Sequence, residues 1–205
     1  MELFERFADP AQNHLPYEGH VHYYGKIYPE KEADELLSQL LKTIAWHHDL
    51  VTLYGKTIRT RREVAWYGDH TLTYRYSGHT KTALPWTDPL IRIKNKVELE
   101  SGSTFNSCLL NLYHQGNEGM SWHSDDEKEL VTDGVIASVS MGTARKFSFK
   151  HKVTGERIDV LLEHGSLLIM KGLTQRHWLH QLPPTRKIKT PRINLTFRQI
   201  KGTGS

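Results

Sequence analysis

The sequence predicts a mainly β fold of the α+β class, a sandwich or jelly roll supported by helices near the N-terminus. Two patterns carry this prediction: a helical periodicity in the first half of the chain, and short alternating segments separated by turn signals after Gly102. The gaps between those segments are too short for the crossover helices that a parallel sheet needs. At 205 residues, the chain is expected to form a single domain.

Two helices are predicted before Gly102. Pro29 suits the first position of a helix that extends to Trp46. Its apolar stripe consists of Leu36, Leu37, Leu40, Leu41 and Ile44. A second helix is predicted to begin at Thr87-Asp88-Pro89, where a capping residue precedes a proline, and to end before Ser101-Gly102-Ser103.

Seven strands are predicted after the second helix: Phe105–His114, Val135–Met141, Arg145–His151, Arg157–Leu162, Gly165–Met170, Trp178–Leu182 and Arg192–Ile200. The last strand alternates strictly, with polar groups at 192, 194, 196 and 198 and apolar groups between them. One interpretation is an edge strand with a solvated basic face. The other is a polar face inside a barrel, where Arg192 and Arg198 could bind a dicarboxylate through their guanidinium groups.

Composition limits the possible chemistry and location. The one cysteine, Cys108, excludes an internal disulfide framework and a cysteine-rich metal site, so any metal must be held by histidine and carboxylate. No apolar run approaches the roughly 20 residues of a membrane span, and the N-terminus has no signal pattern. We therefore expect an intracellular protein, cytoplasmic in a bacterium or nuclear in a eukaryote. A net charge of +4 indicates a polyanionic partner.

A candidate metal motif is His123-Ser124-Asp125, which supplies the first two ligands of a 2-His-1-carboxylate site for non-haem Fe(II). In an extended segment, residues two apart project to the same face and can hold one cation. A second match, His47-His48-Asp49, is expected to cap or leave the end of the first helix. The third ligand should be a histidine on a later strand, and the pattern leaves four alternatives: His151, His164, His177 and His180.

Between about Tyr54 and Ile200, the sequence resembles the AlkB family of Fe(II)/2-oxoglutarate-dependent nucleic-acid dealkylases. The matching blocks are Asn111-Leu112-Tyr113, Trp122-His123-Ser124-Asp125-Asp126-Glu127, Ile136-Ala137-Ser138-Val139-Ser140, His164-Gly165-Ser166-Leu167-Leu168-Ile169-Met170, Trp178-Leu179-His180 and Pro191-Arg192-Ile193-Asn194-Leu195-Thr196-Phe197-Arg198. The last block is highly specific, and the family's spacing from the first arginine of this strand places its third metal ligand at His180.

The resemblance implies a double-stranded β-helix in which His123, Asp125 and His180 hold Fe(II). The co-substrate 2-oxoglutarate would chelate the metal and pair one carboxylate with Arg192. The residues that complete its pocket would be Asn111, Tyr113, Asn194 and Arg198. O2 would take a remaining position on the metal. The division implied within the single domain 1–205 is an N-terminal extension and helix (1–50), nucleotide-recognition hairpins (51–85), and a helix plus the catalytic core (86–200).

The family's substrates imply oxidative demethylation of 1-methyladenine and 3-methylcytosine in DNA, with RNA as a further candidate substrate. Tyr76 and His123 would stack on the flipped base, with Tyr74, Ser77, Asp126 and Glu127 around its edge. The basic, aromatic hairpin residues expected to contact nucleic acid are Tyr54, Lys56, Arg61 and Arg62. Tyr54-Gly55-Lys56 resembles duplex-acting relatives, whereas Asn106-Ser107 and Trp122-His123-Ser124-Asp125 resemble relatives that prefer single strands. We expect a monomer without a membrane partner.

Two alternatives remain at this stage. One is a 2-oxoglutarate oxygenase that acts on a protein or a small molecule, against which the basic aromatic hairpin argues. The other is a non-catalytic nucleic-acid-binding protein, for which an intact set of metal ligands would be superfluous.

Overall fold

The computed structural model describes residues 8–53, 56–69, 72–76 and 79–201, and within 51–58 and 73–81 it describes the backbone alone. The described residues contain three helices, α1 (Glu30–Thr43), α2 (Asp88–Ser101) and α3 (Thr174–His177). They also contain fourteen strands: β1 (His20–Lys26), β2 (His47–Leu53), β3 (Lys56–Gly68), β4 (Thr73–Tyr76), β5 (His79–Thr82), β6 (Leu84–Pro85), β7 (Ser107–Tyr113), β8 (Met120–His123), β9 (Ile136–Gly142), β10 (Arg145–His151), β11 (Arg157–Leu162), β12 (Ser166–Lys171), β13 (Trp178–Leu182) and β14 (Arg192–Arg198).

Two antiparallel sheets face each other, which confirms the predicted jelly roll. The major sheet has the order β1-β12-β9-β14-β7-β3-β2, with β6 paired to β3 in parallel. The minor sheet has the order β11-β10-β13-β8, and β4 and β5 form a separate hairpin. Strands distant in sequence are therefore neighbours, and β14 lies between β9 and β7.

The alternation of β14 divides the major sheet into two faces. Ile193, Leu195 and Phe197 are fully buried on the outer face, in the largest apolar cluster. Arg192 and Asn194 project from the inner face, toward the minor sheet. The second interpretation of this strand is therefore correct: its polar face is inside the barrel.

The helices α1 and α2 pack on the outer face of the major sheet, as predicted. Leu36 and Leu40 of α1 and Ile93 and Val97 of α2 join the same buried cluster as Leu195. Each helix thus places its apolar stripe on the sheet and its charged side in solvent. The described residues contain no helix that is long and apolar enough to cross a membrane.

Four features differ from the sequence-based prediction. The first helix ends at Thr43, and His47-His48-Asp49 begins β2 instead of capping that helix. The pairing of β2 with β3 explains this, because a tertiary contact fixes a segment whose own pattern is ambiguous. The short strand β8 and the strand β1, next to β12, were not predicted. The predicted division of the domain into three segments stays a prediction.

Candidate active site

The structure brings His123, Asp125 and His180 together between the two sheets. His123 ends β8 and pairs in register with His180 on the neighbouring β13. Asp125 lies two residues later, in the connection to β9. Its Oδ1 is 3.7 Å from His123 Nε2 and 3.8 Å from His180 Nε2, and the three ligand atoms lie within 4.8 Å of one another.

Hydrogen bonds and burial leave both imidazoles able to donate a lone pair to a cation. His123 Nδ1 donates to the carbonyl of Ser121 at 2.8 Å, so the lone pair of the neutral ring is on Nε2, facing Asp125. Burial lowers the pKa of His180 to about 3, so this ring is neutral at physiological pH. Its Nδ1 is buried without a hydrogen-bond partner among the described residues.

Asp125 is held as a carboxylate by Arg198. Burial opposes ionisation of this side chain, but the Arg198 cation, with smaller contributions from His180, His123 and the Arg198 hydrogen bond, lowers the pKa of Asp125 to about 2. The guanidinium donates twice to Oδ2, from Nη2 at 2.6 Å and from Nε at 3.1 Å. Because Arg198 occupies Oδ2, Oδ1 is the oxygen left for a cation.

The other three candidate third ligands lie elsewhere. His164 accepts from the backbone N–H of Gly142 and faces Asp34. His151 and His177 form a separate cluster with Glu18. His177 is the last residue of α3, not part of β13, and its Nδ1 lies 3.6 Å from Glu18.

The Glu18 cluster is arranged differently from the first one. His151 Nδ1 lies 3.1 Å from the backbone N–H of Thr154 and accepts from it, which places the ring proton on Nε2. That proton is donated to Glu18 at 2.8 Å. Nε2 of His151, the nitrogen nearest the carboxylate, therefore has no free lone pair. The hydrogen bond holds the segment before β1 against the end of β10.

Arg192 presents an unsatisfied donor to the space between the sheets. Its Nη2 donates to Ser140 Oγ at 2.9 Å, while Nε is buried without a partner among the described residues. The guanidinium carbon lies 5.7 Å from the centre of the Tyr113 ring. Burial lowers the pKa of Arg192 to about 10, so it is still charged at neutral pH. A buried, charged and incompletely bonded guanidinium fits the carboxylate of a bound acid.

The other residues assigned by resemblance to the 2-oxoglutarate pocket lie on the same inner face. Asn194 lies opposite Asn111 in the register of β14 and β7. Its amide donates to Ser138 Oγ at 2.7 Å, and its carbonyl oxygen accepts from Thr196. Asn111 accepts at 3.1 Å from Arg62, one of the predicted nucleic-acid contacts, which lines the cleft.

These groups line a cleft of about 980 Å³ between the sheets. Asp126 is exposed at its edge and accepts from Ser124 at 3.2 Å. Glu127 is partly buried, and one of its oxygens has no hydrogen-bond partner among the described residues. Burial raises the pKa of Glu127.

The remaining predicted contacts are only partly described. Arg61 is exposed on β3. The backbones of Tyr74, Tyr76 and Lys56 are described but their side chains are not, and Tyr54 and Ser77 lie outside the described residues.

Sequence reasoning missed several groups at the site. Ser138 and Ser140 bond the polar side chains of β14, and Gln175 bonds the backbone of Asp125 at 2.9 Å. His47 and Asp49 line the cleft, although their motif had been assigned to a helix end. Polar alternation could have indicated the serines of β9, but no local signal connects Gln175 to a residue 50 positions away.

Comparisons with known proteins agree with this geometry. Residues 20–198 match the model of the 2OG-Fe(II) oxygenase superfamily. Human DNA oxidative demethylase ALKBH2 is 40% identical over 204 residues, covering 94% of this chain and 78% of that protein. Human alpha-ketoglutarate-dependent dioxygenase alkB homolog 3 is 39% identical over 180 residues, covering 83% of this chain and 62% of that protein.

A solved structure of OsALKBH1 shows the same fold. It superposes with a TM-score of 0.61 over 87% of this chain and 97% of that one, at 17% sequence identity. Together, the family match and the two human relatives show that the chain belongs to the AlkB family of Fe(II)- and 2-oxoglutarate-dependent oxygenases.

Proposed function

We propose that this protein is an oxidative DNA demethylase that removes methyl groups from ring nitrogens of bases such as 1-methyladenine and 3-methylcytosine. The observation that carries the proposal is the arrangement inside the barrel, where a two-histidine, one-carboxylate cluster shares a cleft with the unsatisfied guanidinium of Arg192. A relative 40% identical over 204 residues is a DNA oxidative demethylase. RNA is a further candidate substrate.

The donor set fits Fe(II). Two neutral imidazoles and one carboxylate on a single side leave open positions for other ligands. In the proposal, His123 Nε2, Asp125 Oδ1 and His180 Nε2 hold the metal. When bound, iron with O2 and 2-oxoglutarate supplies the oxidation of a methyl carbon attached to nitrogen, which is lost as formaldehyde along with succinate and CO2.

The two arginines of β14 have different roles in the proposal. Arg192 pairs with the distal carboxylate of 2-oxoglutarate, and Ser140 holds its guanidinium in place. Arg198 keeps Asp125 ionised and turned so that Oδ1 faces the metal. Asn111, Tyr113 and Asn194 are assigned to the walls of the same pocket.

Acidic groups at the cleft suit a cationic base. 1-Methyladenine and 3-methylcytosine carry positive charge, and methylation blocks their pairing edge, so extruding them from a duplex costs less than extruding a normal base. Asp126 at the edge and Glu127 beside it supply negative charge there. In the proposal, Tyr76 and the His123 ring stack on the base, and Tyr74 and Ser77 adjoin its edge. Tyr54, Lys56, Arg61 and Arg62 are assigned to the nucleic-acid side of the cleft.

The direct test uses an oligonucleotide with one 1-methyladenine, incubated with the protein, Fe(II), ascorbate and 2-oxoglutarate. We expect equal amounts of formaldehyde and unmethylated adenine, measured with single-stranded DNA, duplex DNA and RNA in parallel. Binding of the oligonucleotide without release of formaldehyde would overturn the proposal and favour the non-catalytic alternative.

A second test addresses the acidic edge. We expect Asp126→Ala to reduce the preference for the methylated oligonucleotide over its unmodified competitor, measured by competition binding. Glu35→Ala, which removes an exposed carboxylate of α1, is the control and should leave the preference unchanged. An unchanged preference in Asp126→Ala would show that charge at this position does not select the substrate.

A further inference from the structure

We infer that Gln175 is a positioning residue that fixes the main chain of Asp125 relative to His180 and thereby sets the affinity and geometry of the metal centre. The inference rests on the proposed function in one respect only, that His123, Asp125 and His180 hold a metal. It assigns to the short helix α3 a role in the site that its sequence does not suggest.

The contact is a single hydrogen bond between distant parts of the chain. The backbone N–H of Asp125 donates to Gln175 Oε1 at 2.9 Å. The other end of the carboxamide, Nε2, lies 3.6 Å from Met170 Sδ on β12. The side chain is therefore held at both ends and bridges α3, the major sheet and the segment that carries Asp125.

Asp125 needs such a support because it lies outside the sheet ladder. β8 ends at His123, so the two histidines are fixed by strand pairing, whereas the main chain of Asp125 is not. Arg198 orients its carboxylate but does not bond its backbone. Groups that orient a metal ligand from outside typically change metal affinity about 10- to 100-fold when removed.

Gln175 also connects two ligands. It stands five residues before His180 on the same continuous segment, so a shift of α3 moves both the carboxamide and that ligand. Lys152 strengthens the connection by donating both to the carbonyl of Gln175 at 2.9 Å and to Ser124 Oγ at 3.2 Å. The separation of Asp125 and His180 is thus set on one side by strand pairing and on the other by this helix.

The test compares two substitutions at Gln175. Gln175→Met keeps the length of the side chain but removes the oxygen that accepts from Asp125, whereas Gln175→Glu retains it. We expect Gln175→Met to weaken binding of Co(II) to the apoprotein by about 10-fold and to change its visible absorption bands, and Gln175→Glu to restore most of both.

The matched control is Arg176→Met. Arg176 is the next residue of α3 and pairs with Asp133, at the far end of the same connection, without touching Asp125. We expect this variant to bind Co(II) as the unchanged protein does. Thermal unfolding of each apoprotein, measured in parallel, identifies any loss of binding that comes from a loss of folded protein.

Two results would overturn the inference. One is unchanged Co(II) affinity and absorption in Gln175→Met, and the other is equal loss in Gln175→Met and Arg176→Met, which would assign the effect to the whole connection. Failure of the proposed function is distinguishable, because a protein that binds Co(II) through these ligands but releases no formaldehyde refutes the reaction and not the role of Gln175.

Discussion

The two histidine clusters among the described residues differ in the direction of one backbone hydrogen bond at Nδ1 of a histidine ring. The Ser121 carbonyl accepts from His123 Nδ1 and leaves Nε2 with its lone pair, whereas the Thr154 N–H occupies Nδ1 of His151 and leaves Nε2 with the proton. Two clusters with similar residue types therefore differ in chemistry. This difference in the position of the ring proton depends on backbone groups, so the number of histidines in the sequence does not predict it.

His180 and His177 offer a matched pair for testing the third ligand. We expect His180→Ala to abolish demethylation and to weaken Co(II) binding by at least about 10-fold, because the metal loses one of three protein ligands. His177→Ala should retain turnover, since its ring lies beside Glu18. Formaldehyde release and Co(II) titration measure both effects, and the reverse pattern would refute the choice of ligand.

Arg192 permits a test of co-substrate binding. Replacing it by Met removes a charged donor from a buried site, and charge-assisted hydrogen bonds contribute about 1.5–3 kcal/mol. We expect the KM for 2-oxoglutarate to rise by about 10-fold or more, with Co(II) affinity unchanged. Arg192→Lys should recover only part of the loss, because an ammonium cannot form the paired bonds of a guanidinium. An unchanged KM in Arg192→Met would exclude this carboxylate contact.

At the level of single residues, sequence reasoning reached the side chains whose direction follows from a local period. Arg192, Asn194 and Arg198 alternate along β14, so their shared face needed no knowledge of the partner strands, whereas its position inside the barrel was one of two interpretations that the pattern left open. The contacts of Gln175 with Asp125 and of Arg62 with Asn111 could not be found in this way, because the partners lie 50 and 49 positions away in the chain. The pairing of β3 with β7 and the position of α3 decide those contacts.

Among the elements, long periodic segments were predictable and short or tertiary-dependent ones were not. α2 and β14 have complete amphipathic patterns, and both were predicted close to their observed bounds. β8 contains only four residues, too few for a period to be recognised, although it carries His123. β2 was misassigned to a helix end because its pairing with β3 is what makes it a strand.

The packing of α2 can be tested with two apolar residues of the same helix. Ile93 is fully buried against the major sheet, whereas Leu99 is 79% exposed. We expect Ile93→Ala to lower the free energy of unfolding by about 2–5 kcal/mol, through lost burial and the cavity it leaves. Leu99→Ala should change it by less than about 0.5 kcal/mol. Urea denaturation measures both, and similar values would contradict the packing described.

The turn after β9 gives a second test at this scale. Gly142 has a φ of +89°, and a Cβ there would collide with the carbonyl of Pro191. Gly155 has a φ of +74° but has open space around it. We expect Gly155→Ala to cost about 1 kcal/mol from backbone strain alone and Gly142→Ala to cost about 2 kcal/mol or more. Equal costs in urea denaturation would show that the collision is relieved by movement.

The described residues form three main layers: α1 with α2, the major sheet and the minor sheet. α1 and α2 contact the outer face of the major sheet, whereas the candidate site lies on its inner face, where α3 contributes Gln175. Within β14, neighbouring residues therefore belong to different environments. Leu195 packs in the apolar cluster, while Asn194 and Thr196 hydrogen-bond each other inside the barrel.

Substitutions on the two faces should be energetically independent. We expect the free energy of unfolding of the double variant Ile93→Ala with Arg192→Met to equal the sum of the single changes within about 0.5 kcal/mol, because the two sites share no partner. The KM for 2-oxoglutarate should be the same in Arg192→Met and in the double variant. A larger coupling, measured by a double-mutant cycle, would show that the sheet transmits strain between its faces.

The alternation of β14 then has a consequence for how such a protein can change over generations. The odd-numbered positions of this strand pack in the apolar cluster, and the even-numbered positions line the cleft. A substitution at an odd-numbered position is therefore expected to disturb the apolar cluster first, and one at an even-numbered position to disturb the cleft first. Seven consecutive residues of one strand are thus subject to two different selective constraints.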